Sequence, residues 1–471
     1  LLVFLKFNAN AQDTIQIDFG QVIKEEIPDG ASSANLCWLL NSDLKRPNPH
    51  RSFEAAVSEL GAGSLRFPYG HLADNYLWHT PPYDDVEDGL RPRVAAISQA
   101  PGKWEWAVDQ NGAFKSAMDF DEFMAVCQRQ NIKPLVVVNV FSFKYEGGPA
   151  LSELVEAAVE WVKYVKQKDY QVAYWQIGNE VDHHPKLMTR QEYVDVYEKM
   201  VIAMKEADPS INVGPGILSN VSFFNAIMDR SPELIDFTSC HQYMWSFIES
   251  CKTYDLWKKS EELFIPNVQK MQRAVRTSVK PEMEIVITET GVSPSNKGMG
   301  SINNTWKALW WFEILMNQLS QPNVTYSYFW GTHSPWNGPM DNDKDDVGVL
   351  FRLDDNSRKP IAEVVKLVNE NVPEKLVEAN LVSDYIRTYA GISKCAQKIN
   401  VFLLNKNNEP QKVVLSLRDL PCENRIFSHL ILKGERPESR EVSLHEGRDL
   451  NIGNGFVEVE LPPLSISVLK N

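Results

Sequence analysis

The chain has little cysteine, no long apolar run and no excess of basic charge. Six cysteines in 471 residues are too few for the disulfide framework of a small secreted module. Cys37, Cys127 and Cys240 fall in apolar stretches and read as buried thiols, whereas Cys395 and Cys422 leave open whether they pair. No segment approaches the roughly 18 uninterrupted apolar residues that span a bilayer, so no membrane partner is expected. A net charge of -14 offers none of the basic patches that nucleic acid or strongly anionic polymers require; a neutral partner fits better. No glycine-rich turn follows the first candidate strand, which excludes a dinucleotide site of the usual kind. Internal repeats and low-complexity segments are missing, no cofactor is called for, and nothing in the sequence sets an oligomeric state.

The first residues, LLVFLKFNANAQDT, place a short apolar segment before Ala9-Asn10-Ala11. This pattern predicts the tail of a secretory signal peptide over residues 1–11, with cleavage before Gln12. It carries the expectation of a secreted, periplasmic or cell-surface protein.

Aromatic residues are plentiful, with 13 Trp, 15 Tyr and 21 Phe, enough to line a cleft as well as a large core. The length suggests one domain of about 300 residues and a smaller one. From about residue 33 the chain alternates apolar runs at 34–40, 63–70, 133–140, 173–180, 212–217, 237–243, 284–291 and 325–331 with amphipathic stretches. The amphipathic stretches include residues 53–60, 119–130, 151–168, 191–207, 222–230, 260–279, 305–319 and 359–369. Eight such units read as a (β/α)₈ barrel over residues 33–371, with a doubly wound open sheet as the alternative. The segment from Phe67 to Asp119 is too long for a simple connection, and its Trp78, His79, Trp104 and Trp106 suit an ordered loop walling a cleft. Residues 372–471 alternate without helical patterning and predict a small antiparallel β-sandwich, which residues 12–32 join through the run TIQIDFGQVI.

In barrels the chemistry gathers at the C-terminal ends of the strands. Those ends carry Asn41, Arg66 to His71, Asn139, Asn179-Glu180, Pro215, His241, Tyr243, Glu289 and Trp330. Glu180 ends the fourth strand and Glu289 the seventh, which face each other across the mouth. Two carboxyl groups about 5–5.5 Å apart are what a retaining glycosidase needs. By period-2 alternation, Ile285, Ile287 and Glu289 share one face, as do Gln176, Gly178 and Glu180. His241 shares a face with Tyr243 and lines the same pocket.

Asn-Glu closing strand four and Glu closing strand seven resemble clan A of the retaining glycoside hydrolases, a TIM-barrel clan in which an appended β-sandwich is common. The resemblance implies Glu180 as acid/base, Glu289 as nucleophile and Asn179 as a ligand of the sugar 2-hydroxyl. It also implies that Arg66 supports the nucleophile, Tyr243 hydrogen-bonds it and Trp330 floors the reacting sugar. Within the clan, LRFPYGHLADNYLWHT, YWQIGNE and CHQY are most similar to family 51, the α-L-arabinofuranosidases, and to families 39, 79 and 86. Departures are Pro68-Tyr69-Gly70-His71 in place of Pro-Gly-Gly-Asn, the Thr-Glu-Thr-Gly setting of Glu289, and the missing glutamate after strand one. His71 and Trp38 complete the substrate-binding or supporting candidates.

The implied substrate is a neutral poly- or oligosaccharide cleaved by double displacement, with an endo-acting β-glycanase or β-agarase as the alternative. In that mechanism Glu289 is ionised beside Arg66, and Glu180, facing its charge, keeps a proton near neutral pH. A non-catalytic carbohydrate-binding barrel would keep the aromatics and lose a carboxylate. A metal site at Asp182-His183-His184 lacks the spacing of a helical histidine pair, so no metal is expected. Cys240 and His241, as strand neighbours, face opposite ways and cannot form a nucleophile-base pair.

Overall fold

Runs such as Lys133–Val138 (KPLVVV) are apolar on both faces, and such a strand is stable only where helices and a filled interior cover both. In the computed structural model eight parallel strands satisfy this condition. In chain order they are Ser32–Asn35, Ser64–Phe67, Lys133–Val138, Tyr174–Ile177, Val213–Pro215, Phe237–Tyr243, Glu284–Gly291 and Val324–Phe329, called here barrel strands one to eight. The structure describes residues 13–44, 51–78, 93–94, 115–244, 249–292, 302–334, 347–380, 384–421 and 426–471.

Each barrel strand pairs with its sequence neighbours except five with six, and strand eight pairs with strand one. The ring is nearly closed between strands five and six, where Asp236 N–H donates to Val213 O (2.9 Å) and His241 N–H to Leu218 O (2.7 Å). Leu135, Val137, Tyr174, Phe237, Val286, Tyr326 and Tyr328 fill the barrel interior. Val136, Val138, Trp175, Ile177, Ile285 and Ile287 pack outward among the helices. Among the described residues no helix is long and apolar enough to cross a membrane.

Two elements differ from the sequence expectation. Strand one ends at Asn35, so Asn41 lies beyond it, accepting from Cys37 N–H (2.6 Å) and bonded to His333 Nδ1 (2.7 Å). The helix expected over 260–279 runs only over Pro266–Thr277, and a short helix not expected from the sequence, Tyr254–Lys258, precedes it; proline at the first turn starts a helix and cannot continue one.

The C-terminal residues and Asp13–Lys24 form one curled, mostly antiparallel sheet of ten strands. Asp13–Lys24 makes it continuous, pairing antiparallel with Lys375–Ala379 and parallel with Gln411–Arg418. In Ile399–Asn405, Val401 and Leu403 face the sheet's own core, while Phe402 and Leu404 face the barrel. The barrel helix Thr305–Leu319 is buried along its whole length, because barrel and sheet cover opposite sides of it. Its Glu313 accepts from Arg387 Nε (2.7 Å), Lys406 Nζ (3.2 Å) and Trp257 Nε1 (2.8 Å).

Candidate active site

Both glutamates reach the barrel mouth through departures from regular strand geometry. Barrel strand four stops at Ile177; Gly178 (φ 81°) and Glu180 (φ 44°) then adopt left-handed conformations. A Cβ on Gly178 would meet Val140 Cγ2 at 2.6 Å, so only glycine makes this turn. Left-handed backbone at a non-glycine residue is disfavoured by about 1–2 kcal/mol and collects at functional sites. Asp182 clamps the loop beyond, its carboxylate accepting from the backbone N–H groups of Leu218 (2.7 Å), Ser219 (2.9 Å) and Asn220 (2.7 Å). That work explains an acidic residue beside two histidines without any metal.

On strand seven the expected alternation fails. Ile285 and Ile287 face the helices, and Val286 faces the interior. Ile287 pairs with Cys240, yet Glu289 pairs with His241, so Thr288 is an extra residue in the ladder. Such a bulge re-aims the side chain that follows and turns Glu289 inward.

Arg66, fully buried on strand two, organises the centre. Its guanidinium donates to Glu289 Oε1 (2.9 Å), Asn35 Oδ1 (2.6 Å), Asn179 Oδ1 (2.6 Å) and Gln176 Oε1 (3.1 Å). Tyr243 O–H donates to Glu289 Oε2 (2.9 Å), and burial first, then the charge of Glu289, keep that phenol far above its ordinary pKa. His241 Nδ1 lies 2.7 Å from Glu180 Oε1 and 3.4 Å from Glu289 Oε2, with Thr288 Oγ1 3.1 Å from Nε2. Glu180, His241 and Glu289 each place an atom within 4.8 Å of the others. A cation there would meet the Arg66 guanidinium already bonded to Glu289, so the donor set does not suit a metal.

His71 Nε2 lies 3.0 Å from Glu180 Oε2. Burial would raise the pKa of Glu180, but hydrogen bonds and charge from His241 and His71 outweigh it and hold the carboxyl well below the usual range. The expectation that Glu180 keeps its proton near neutral pH is opposed by these two imidazoles. The two imidazoles were not visible as neighbours in sequence.

Trp330 is half-buried, its ring 4.6 Å from that of Tyr69 and 6.1 Å from that of Tyr243. A Cβ on Gly70 would stand 2.6 Å from Glu289 Oε1 and 3.0 Å from the Trp330 ring. Asn179 Nδ2 is buried with no partner, a donor available to a substrate hydroxyl. Trp38 is enclosed in the core with its ring 5.4 Å from that of Tyr76, a supporting position. Asn139 spends its amide on Tyr76 O and Ser142 Oγ. Sequence reasoning missed Asn35, Asp74 and Thr288; only the place of Gln176, in parity with Glu180, was a usable signal. Cys395 is a free, exposed thiol and Cys422 lies outside the described residues, as do His79, Trp104 and Trp106.

The α-L-arabinofuranosidase 1 domain family model matches residues 56–261. Two curated relatives are named intracellular exo-α-(1→5)-L-arabinofuranosidases. The one from Acetivibrio thermocellus is 24% identical over 44% of this chain and 41% of its own length. The one from Bifidobacterium longum is 24% identical over 54% and 46%. The chain spans less than half the length of these relatives. A solved arabinofuranosidase superposes with a TM-score of 0.72 at 17% identity, covering 97% of this chain and 99% of the other, a likeness of fold. The chain is thus similar to family 51 of clan A in sequence and in fold. The relatives' intracellular names overturn the expectation of export drawn from residues 1–11, which lie outside the described residues.

Proposed function

We propose that the chain is a retaining O-glycosyl hydrolase of the arabinofuranosidase kind, with Glu289 as nucleophile and Glu180 as acid/base. The observation that carries the reading is the approach of the two carboxylates, with atoms within 4.8 Å of each other, where double displacement needs about 5–5.5 Å between groups. Arg66 and Tyr243 each donate to one oxygen of Glu289. These bonds orient the nucleophile.

In the first step Glu289 attacks the anomeric carbon, the glycosidic C–O bond breaks, and Glu180 passes a proton to the departing oxygen. In the second, water attacks the same carbon, Glu180 takes its proton, and the ester to Glu289 breaks. Asn179 Nδ2 supplies a hydrogen bond to the sugar, and Trp330 packs beside it. The relatives' names make terminal α-(1→5)-linked L-arabinofuranosyl groups the substrates to try first.

Glu289→Ala is expected to reduce hydrolysis of aryl α-L-arabinofuranosides to background. Glu180→Ala should slow substrates with poor leaving groups by about 10²–10⁴-fold and activated ones far less, with azide restoring turnover as a glycosyl azide of retained configuration. Appreciable hydrolysis by Glu289→Ala, or inversion seen by proton NMR, would refute the assignment. Products longer than a monosaccharide would favour the endo-acting alternative.

A further inference from the structure

Resting on the glycosidase reading, we propose that His71, oriented by Asp74, is a positioning residue that holds the proton Glu180 uses. Glu180 Oε2 is 3.0 Å from His71 Nε2, and His71 Nδ1 is 3.3 Å from Asp74 Oδ2. The two residues open and close the 3₁₀ turn His71–Asp74, in which positions three apart eclipse each other. Ser142 Oγ–H donates to Asp74 O (2.9 Å) and pins the turn. Asp74 is buried, and its Oδ1 has no partner, so the carboxylate's hydrogen-bonding capacity is directed at His71. This Asp–His–Glu line occupies the place where the sequence departs from the Pro-Gly-Gly-Asn pattern.

The charged neighbours agree with the geometry. Burial disfavours a charged His71 ring, yet its bonds to Asp74 and Glu180 raise its pKa well above the ordinary value. Burial pushes Asp74 up to about 6, against the pull of His71. His183 and His184 stand 6.3 and 5.0 Å away, ring to ring, and burial followed by the charge of His71 lowers the pKa of His184. His241, Glu289 and Arg66 lie on the far side of Glu180, and Tyr145 feels the charge of Asp74.

Glu180 and His71 therefore titrate as one unit. The unit keeps one proton, mostly on His71 Nε2, until the pH passes the raised pKa of the ring. When a glycosidic oxygen begins to leave, that proton moves to the Glu180 carboxyl and on to the oxygen, leaving His71 neutral with Nδ1–H toward Asp74. Water returns it in the second step. The pair thus remains active to higher pH than a lone carboxylic acid.

The test combines pH profiles of kcat/KM on a poor-leaving-group arabinofuranoside with NMR titration of the His71 ring. In His71→Gln the alkaline limb should move to lower pH by about one unit or more; Asp74→Asn should move it the same way by less. The wild-type ring should titrate clearly above 6.5 and fall in Asp74→Asn. Thermal melts identify a misfolded variant, in which case the remaining variant and the wild-type ring decide. A uniform rate loss with the limb unmoved, or a wild-type ring titrating at or below about 6.5, would overturn the proposal. A high-titrating ring in a protein inactive on every glycoside would instead sink the glycosidase reading and leave the pairing intact.

Discussion

Gly70 stands where any side chain would press on the nucleophile, since an added Cβ would lie 2.6 Å from Glu289 Oε1. Gly70→Ala should leave the melting temperature within a few degrees of wild type. It should lower kcat/KM by about 10²-fold, because displacement of a reacting group by about 1 Å costs that much. Unchanged kinetics in a folded Gly70→Ala protein would mean that Glu289 is not held where the structure has it. Arg66, Asn179, Glu180, Tyr243 and Glu289 could be nominated from strand ends because barrel chemistry has a fixed address. Asn35, Thr288 and Asp74 could not, because their importance lies in bonds to partners distant in the chain. Asn35, for instance, accepts from Arg66 and donates to Thr288 O and Phe329 O, joining three strands that sequence order separates.

At the level of elements, strand seven shows where periodicity misleads. Alternation assigned Ile285 and Ile287 to the same face as Glu289, whereas one extra residue, Thr288, separates them. Its hydroxyl also meets His241 Nε2 at 3.1 Å. Thr288→Val keeps the bulge and removes that bond, worth about 1 kcal/mol; kcat should fall roughly five- to tenfold with little change in KM. Deleting Thr288 restores regular alternation, turns Glu289 toward the helices and should abolish turnover. An active deletion mutant would show that the bulge does not aim the nucleophile. The helices needed no such correction apart from the break before Pro266, because apolar spacing near 3.6 residues and caps such as Thr189, which accepts from Glu192 N–H (3.3 Å), are written locally.

Over the whole molecule, barrel and sheet share helix Thr305–Leu319 and the buried charges on Glu313. Arg387 and Lys406 both reach Glu313, and burial, opposed by Glu313, lowers the pKa of Lys406 to about 8. Removing one partner from a buried ion cluster leaves uncompensated charge, at about 3–5 kcal/mol. Glu313→Ala should therefore lower the midpoint of denaturant unfolding markedly, and barrel and sheet should still lose structure in one transition. Two separated transitions would mean that the sheet is an independent unit merely attached to the barrel.

The sequence by itself determined the strand–helix rhythm, the β-rich C-terminal part and two glutamates at opposite strand ends, because these follow from short-range periodicity and from the order of elements around a barrel. The tertiary structure alone decided how those glutamates enter the mouth and what surrounds them. A left-handed turn, a one-residue bulge and two histidines drawn from strand six and the turn after strand two are set by packing and by long-range hydrogen bonds. Such contacts have no period in the chain, so the imidazole neighbours of Glu180 came to light only in three dimensions.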